Sequence, residues 1–136
     1  MTVEPFQAYH VHLIAAQGSQ LRSLSNVPAN WRKPAGPAFT ARDGQLIVLC
    51  GGIMSFSPKL GVLWAIVSAD AGKHMLWLHR ATRRFIETVP LRRLEATVEK
   101  GFDEGCRWLR LLGFEYEGEM RGYGEDGETH LRFGKT

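Results

Sequence analysis

The sequence predicts one mixed α/β domain, with a central β-sheet flanked by helices, and three observations carry that expectation. Residues 62–67 form an apolar run with no charge in it, which reads as a strand in the middle of a sheet with helices above and below. A helical pattern over residues 71–89 and an alternating stretch at 94–100 follow, so strand, helix and strand imply a right-handed crossover between parallel neighbours. The 136 residues, 44% of them hydrophobic, are enough for one continuous core and match the size of one ordinary domain.

The other elements follow in chain order. Residues 3–5 read as a short first strand, and residues 7–24 as helical, with Tyr9, Leu13, Ala16, Gln20 and Leu24 near helical spacing and Gly18-Ser19 as the place where it would split. Residues 25–37 hold Asn26, Pro28, Asn30, Pro34, Gly36 and Pro37, a density of turn formers that predicts a long exposed loop. Strands are expected at 38–42 and 45–56, joined by an Asp43-Gly44 pair suited to a type I′ turn, and Gly51-Gly52 predicts a bulge or a close backbone approach. Ser57-Pro58-Lys59-Leu60-Gly61 makes the turn into the apolar run.

Ser68 or Asp70 would cap the long helix at 71–89, and Pro90 would end it. Met75, Leu78, Thr82, Phe85, Ile86 and Val89 line one side of it, and Arg80, Arg83, Arg84 and Glu87 the other. A further helix at 103–112 stops at Gly113, expected in the left-handed conformation so that Phe114 folds back towards Leu109. Residues 115–123, an Asp126-Gly127 turn and residues 129–133 make a closing hairpin.

A net charge of +3 and a pI near 9.1 assist contact with phosphates or acidic partners but fall short of a nucleic-acid binder's excess. Arg80, Arg83, Arg84, Arg92 and Arg93 read first as a solvated face, with few aromatics among them to stack on bases. Cys50 and Cys106 lie far apart with no CxxC spacing and read as buried free thiols in a reducing compartment, a metal or disulfide role being the alternative. His10 and His12 point to different sides of a helix, and His74 and His79 are poorly spaced for a shared ligand, so no metal site is expected. The first ten residues lack the pattern of a secretion signal, and no stretch approaches the roughly 20 apolar residues of a membrane span, so an intracellular, soluble protein is expected.

Two segments carry a family resemblance. Cys106-Arg107-Trp108-Leu109-Arg110-Leu111-Leu112-Gly113-Phe114-Glu115 is similar to the late helix and strand start of the GNAT N-acetyltransferase superfamily. Val62-Leu63-Trp64-Ala65-Ile66-Val67-Ser68, with the helix after it, resembles that family's cofactor-holding strand and helix. Within the superfamily, Gly51-Gly52-Ile53, the run from Leu63 to Asp70 and the helix at His79-Arg80-Ala81-Thr82-Arg83-Arg84-Phe85 look closest to acetyltransferase-like proteins of tailed phages and prophages, small internal virion proteins included. The resemblance covers nearly the whole chain.

It implies two parallel strands that separate part-way, with the pantetheine of acetyl-CoA in the opening. Ile66, Val67, Ser68, Gly72, Lys73, His74 and Trp108 then fall beside the cofactor, and the arginine cluster could take its 3′-phosphate. It also implies a phage or host protein as partner, and a place in the host cytoplasm or the virion. Four features of the family are absent. Ser68-Ala69-Asp70-Ala71-Gly72-Lys73-His74 lacks the Gln/Arg-x-x-Gly-x-Gly/Ala phosphate loop, and Leu109 stands where a tyrosine often protonates the leaving thiolate. Phe102 or Asp103 replaces a common asparagine, and the central strand has no glutamate to act as base. Glu104, Cys106, Tyr116 and Tyr123 are the remaining candidates for proton transfer, which leaves the catalytic residues unassigned. Three readings stay open: an acetyl-CoA-dependent transferase acting on a protein or small amine, a catalytically degenerate form serving virion assembly or host-protein interaction, and, last, a basic nucleic-acid-binding module resting only on the arginine cluster.

Overall fold

A computed structural model of the chain describes residues 1–16 and 35–136. The expected helix at residues 17–24 and most of the expected loop lie outside the described residues. The described chain runs β1 (Thr2–Pro5), α1 (Tyr9–Ala16), β2 (Ala38–Asp43), β3 (Leu46–Ser55), β4 (Leu60–Val67), a 3₁₀ stretch (Ala69–His74), α2 (Met75–Glu87), β5 (Arg93–Glu99), α3 (Asp103–Leu111), β6 (Glu115–Met120) and β7 (His130–Lys135). All seven strands join one mixed sheet in the order β1-β2-β3-β4-β5-β7-β6, with β4 and β5 the parallel pair. The predicted α/β class holds. No described helix is long and apolar enough to cross a membrane.

Strand alternation divides the core in two. Phe39, Leu49, Ile53, Leu94, Ala96 and Phe133 meet Leu78 and Ile86 of α2 and Cys106 and Leu109 of α3 on one face. Cys50 and Ile66 meet Val11 and Ile14 of α1 on the other. Helix α3 ends as predicted. Gly113 has φ 95°, its N–H donates to Arg110 O at 3.0 Å, and the Phe114 N–H donates to Leu109 O at 2.9 Å, which closes a Schellman motif.

Three expectations need correction, and the bulge or close approach expected at Gly51-Gly52 is met in its second form. The β2–β3 hairpin pairs Asp43 with Leu46, so its loop is Gly44-Gln45, and no described residue other than glycine has positive φ. Glycine at the first central position, with φ 59°, fits a type II′ turn and excludes type I′, which needs two positive φ values. The bulge falls between Ala41 and Arg42, whereas Gly52 marks a close approach: a Cβ there would lie 2.7 Å from both Ala38 Cβ and Pro37 O. The long helix does not begin as an α-helix, because Ser68 Oγ accepts the Asp70 N–H at 3.2 Å and tightens the chain into the 3₁₀ stretch before Met75. Lastly, β4 is central but is not buried along both faces, since Leu63, Trp64 and Ala65 are only half-buried.

Candidate functional site: the splay between β4 and β5

The exposure of β4 has a topological cause. Strand β4 pairs with β3 along its length, from Leu49↔Val67 to Ser55↔Gly61. Its parallel ladder with β5 stops after Leu60↔Arg93, Gly61↔Leu94 and Val62↔Glu95. Beyond that point β5 continues as partner of β7 alone, from Ala96↔Phe133 to Glu99↔His130. The strands are zipped at one end and open at the other, which leaves a V in the middle of the sheet.

On the α2–α3 face, Leu63 of β4 and Val98 of β5 pack against one buried cluster and Val67 of β4 against the other, and Trp108 of α3 packs against both. Trp108 therefore bridges the two buried clusters of this face. Trp108 Nε1 on α3 and Thr82 Oγ1 and His79 Nδ1 on α2 are buried with no hydrogen-bond partner. Thr82 is only 3% exposed and stands on the buried stripe of α2 between Leu78 and Ile86, with His79 one turn before it. On the opposite face Trp64 turns away from α2 and meets Phe6 edge-on, with ring centroids 5.6 Å apart.

The residues expected beside a cofactor are spread around this V rather than gathered on one wall. Val67 and Trp108 border the α2 face, while Ile66 is buried against α1. Ser68 is buried, its hydroxyl committed to the Asp70 N–H and its own N–H to Val48 O at 3.0 Å. Gly72 and Lys73 are exposed at the open end, and a Cβ on Gly72 would meet nothing within 4 Å. His74 Nε2 lies 3.1 Å from Asp43 Oδ2 without the alignment of a hydrogen bond, so its ring faces the β2–β3 hairpin.

None of the four proton-transfer candidates borders this cluster as a free acid or base. Glu104 is exposed, Tyr116 stacks edge-on to Phe133, and Tyr123 leans on the His130 ring. Cys106 is buried in the core, and burial pushes its thiol up from the ordinary range. Leu109 is 6% exposed and belongs to the core.

Two polar groupings were not seen in the sequence, and one of them corrects it, because Arg93 was read there as part of a solvated face. Near the closed end of the V, Arg93 pairs with Glu95 at 3.1 Å and with Glu117, and these partners hold the guanidinium charged while Arg93 holds the Glu117 carboxyl below its usual range. On the α1 face His10 is buried. Its Nδ1 accepts the Gln7 N–H at 3.1 Å and lies 2.8 Å from Thr40 Oγ1, while Nε2 meets Glu4, which also holds Arg42 at 2.7 Å. Burial lowers the His10 pKa against the pull of Glu4, and it pushes the neighbouring Cys50 thiol up to about 12. No local motif announces this group, because its members lie on β1, α1, β2 and β3. Only the burial of a histidine in an apolar helix hinted at it.

No protein-family model matches the sequence, and no curated protein does. Solved structures do match. The ribosomal-protein-S18-alanine N-acetyltransferase of Escherichia coli superposes with TM-score 0.76 at 13% identity, covering 98% of this chain and 91% of that one. The fold is that of the N-acetyltransferases. Ard1 of Thermoplasma volcanium matches with TM-score 0.75 at 14% identity, over 98% and 95% of the two chains. A spermidine N-acetyltransferase variant from Vibrio cholerae gives 0.71 at 11% identity, over 98% and 94%.

Proposed function

We propose that the chain binds acetyl-CoA in the splay between β4 and β5 and transfers the acetyl group to an amine. The observation that carries this reading is the arrest of the β4–β5 ladder at Val62↔Glu95 beside buried polar atoms that lack partners. Groups of this kind are costly in a closed core and well matched to the amides of a pantetheine arm. Thr82 Oγ1 and Trp108 Nε1 would donate to its carbonyls. Gly72 offers unobstructed backbone and Lys73 a charge for the diphosphate, although Asp70 works against it.

When bound, acetyl-CoA supplies the thioester that an amine attacks. The chain's own part is to orient and enclose. Trp108 and the apolar side chains of α2 exclude water from the α-helical side, and with Leu109 buried no proton comes from that position, so positioning carries most of the rate. This predicts a slow transferase whose rate rises with pH as the free amine of the acceptor loses its proton. The N-acetyltransferase fold of the neighbours supports the reading.

A second reading, a binding protein that has lost transfer, is favoured by Leu109 itself. It also accommodates the phage-like resemblance, with a virion or host protein as partner.

Calorimetry and thermal denaturation of the full chain with acetyl-CoA test the first step. Ligand at a hundredfold excess over its Kd stabilises the native state by about 2.7 kcal/mol, and the absence of any shift at millimolar acetyl-CoA would overturn the transferase reading and leave the second. Release of coenzyme A in the presence of a panel of polyamines and peptide N-termini then separates transferase from binder.

A further inference from the structure

A second concave surface lies away from the V, between α2 and the β1 edge of the sheet. It is a groove of about 460 Å³ whose floor is Phe39, Phe85 and Trp77, with the Phe39 and Phe85 rings 4.8 Å apart. Val3 of β1 forms one bank and is 50% exposed. Arg80 and Arg84 form the other, one helical turn apart and both exposed. Neither arginine has an ion-pair partner among the described residues, whereas Arg83, on the adjoining side of α2, is paired with Glu87 at 3.3 Å.

Strand β1 is also the edge of the sheet, with β2 its one strand partner among the described residues. A strand edge left unpaired by the described residues, beside an apolar floor and two guanidinium groups without ion-pair partners among them, is complementary to one kind of occupant. We propose that this groove docks an extended, acidic peptide segment of another protein, added as a strand to the outer edge of β1. Backbone pairing along Thr2–Pro5 would supply the register. Side chains two apart in the added strand would face the groove, an apolar one on the Phe39–Trp77 floor and a carboxylate at Arg80 or Arg84. Charge complementarity selects this occupant: a neutral strand leaves both guanidinium groups unmatched, and a nucleic acid leaves the apolar floor unused. The site is independent of acetyl-CoA and stands whether or not the V binds it.

The test uses the full chain and an N-acetylated, C-amidated octapeptide in which phenylalanine and glutamate alternate at every second position and threonine fills the rest. Binding should move the backbone amides of Thr2, Val3 and Glu4 and the Trp77 indole in two-dimensional NMR spectra. Affinity should fall about fivefold when glutamine replaces glutamate in the peptide, and equally in the Arg80→Gln/Arg84→Gln double variant, as two exposed ion pairs warrant. No shifts at millimolar peptide would overturn the proposal, as would an affinity indifferent to both charge removals. It would equally fall if a DNA duplex or anionic vesicles moved the same resonances at lower concentration, or if raising the protein's own concentration did so without peptide.

Discussion

Replacing Thr82 by valine should make the free protein more stable and its hold on acetyl-CoA weaker, two effects of opposite sign from one hydroxyl. Thr82 is 3% exposed and its Oγ1 has no partner, not even a carbonyl of its own helix. A buried hydroxyl without a partner costs about 1–3 kcal/mol, and valine keeps nearly the same shape without it. For a chain of 136 residues an unfolding entropy of about 2.1 cal/mol/K per residue converts each kcal/mol into about 3.5 °C of Tm. Differential scanning fluorimetry of the free variant should therefore read a rise of at least ~3 °C.

If the same hydroxyl donates to the pantetheine arm, its loss removes about 1 kcal/mol of binding, and calorimetry should read a roughly fivefold higher Kd. Trp108→Phe should add a similar factor. A variant that gains Tm and keeps its affinity would show that Thr82 is a packing defect and no part of a binding site. One that loses Tm would show that the hydroxyl was satisfied all along.

Other outcomes follow from the same geometry. The His10 pKa is lowered from 6.5 in the fold, so below pH 6.5 the unfolded chain binds the proton more readily; the stability this group contributes is complete above that pH and is lost as pH falls through the folded value. The lowered carboxylates Glu4, Glu117 and Glu128 act only below about pH 4.5, so urea melts between pH 7 and 5 should slope downwards in the wild type and flatten in His10→Gln; parallel slopes would refute the assignment. Gly52→Ala forces a Cβ to within 2.7 Å of Pro37 O and should cost about 1–3 kcal/mol, whereas Gly72→Ala meets nothing within 4 Å and should change stability by less than about 1 kcal/mol. Thermal melts of the two variants side by side check this, and equal midpoints would count against it.

What the sequence made legible was whatever depends on local pattern. The uncharged run at Leu63-Trp64-Ala65-Ile66-Val67, the amphipathic stripe of α2 and the Gly113-Phe114 ending of α3 each follow from a few neighbouring residues, and each is present. The turn at Gly44-Gln45 was misread because Asp-Gly fits two registers, and only the pairing of Asp43 with Leu46 chooses between them. The 3₁₀ entry to α2 was hidden for a similar reason: a serine that can cap an α-helix can also tighten a turn, and Ser68 does the latter.

The V itself was expected only through resemblance, since nothing in the composition of β4 says that β5 will leave it after Val62. Within the V, Thr82 looked like one more member of an apolar face. Its significance lies in an absence of partners that only three dimensions reveal. The Glu4–His10–Thr40 group was invisible for the complementary reason, its members being scattered over β1, α1 and β2.

The position of β7 sets an order of assembly. Although β6 precedes β7 in the chain, its only strand partner among the described residues is β7, which sits between it and β5. On a ribosome, β6 can make no hydrogen bond to the sheet until His130–Lys135 has emerged and threaded into the middle. Until then one arm of the V lacks β7 along its outer edge, and the core lacks Phe133, which is fully buried in the finished protein. The wall opposite β4 is thus the last part of the sheet to harden, and the cleft acquires its shape only when synthesis has passed that final strand.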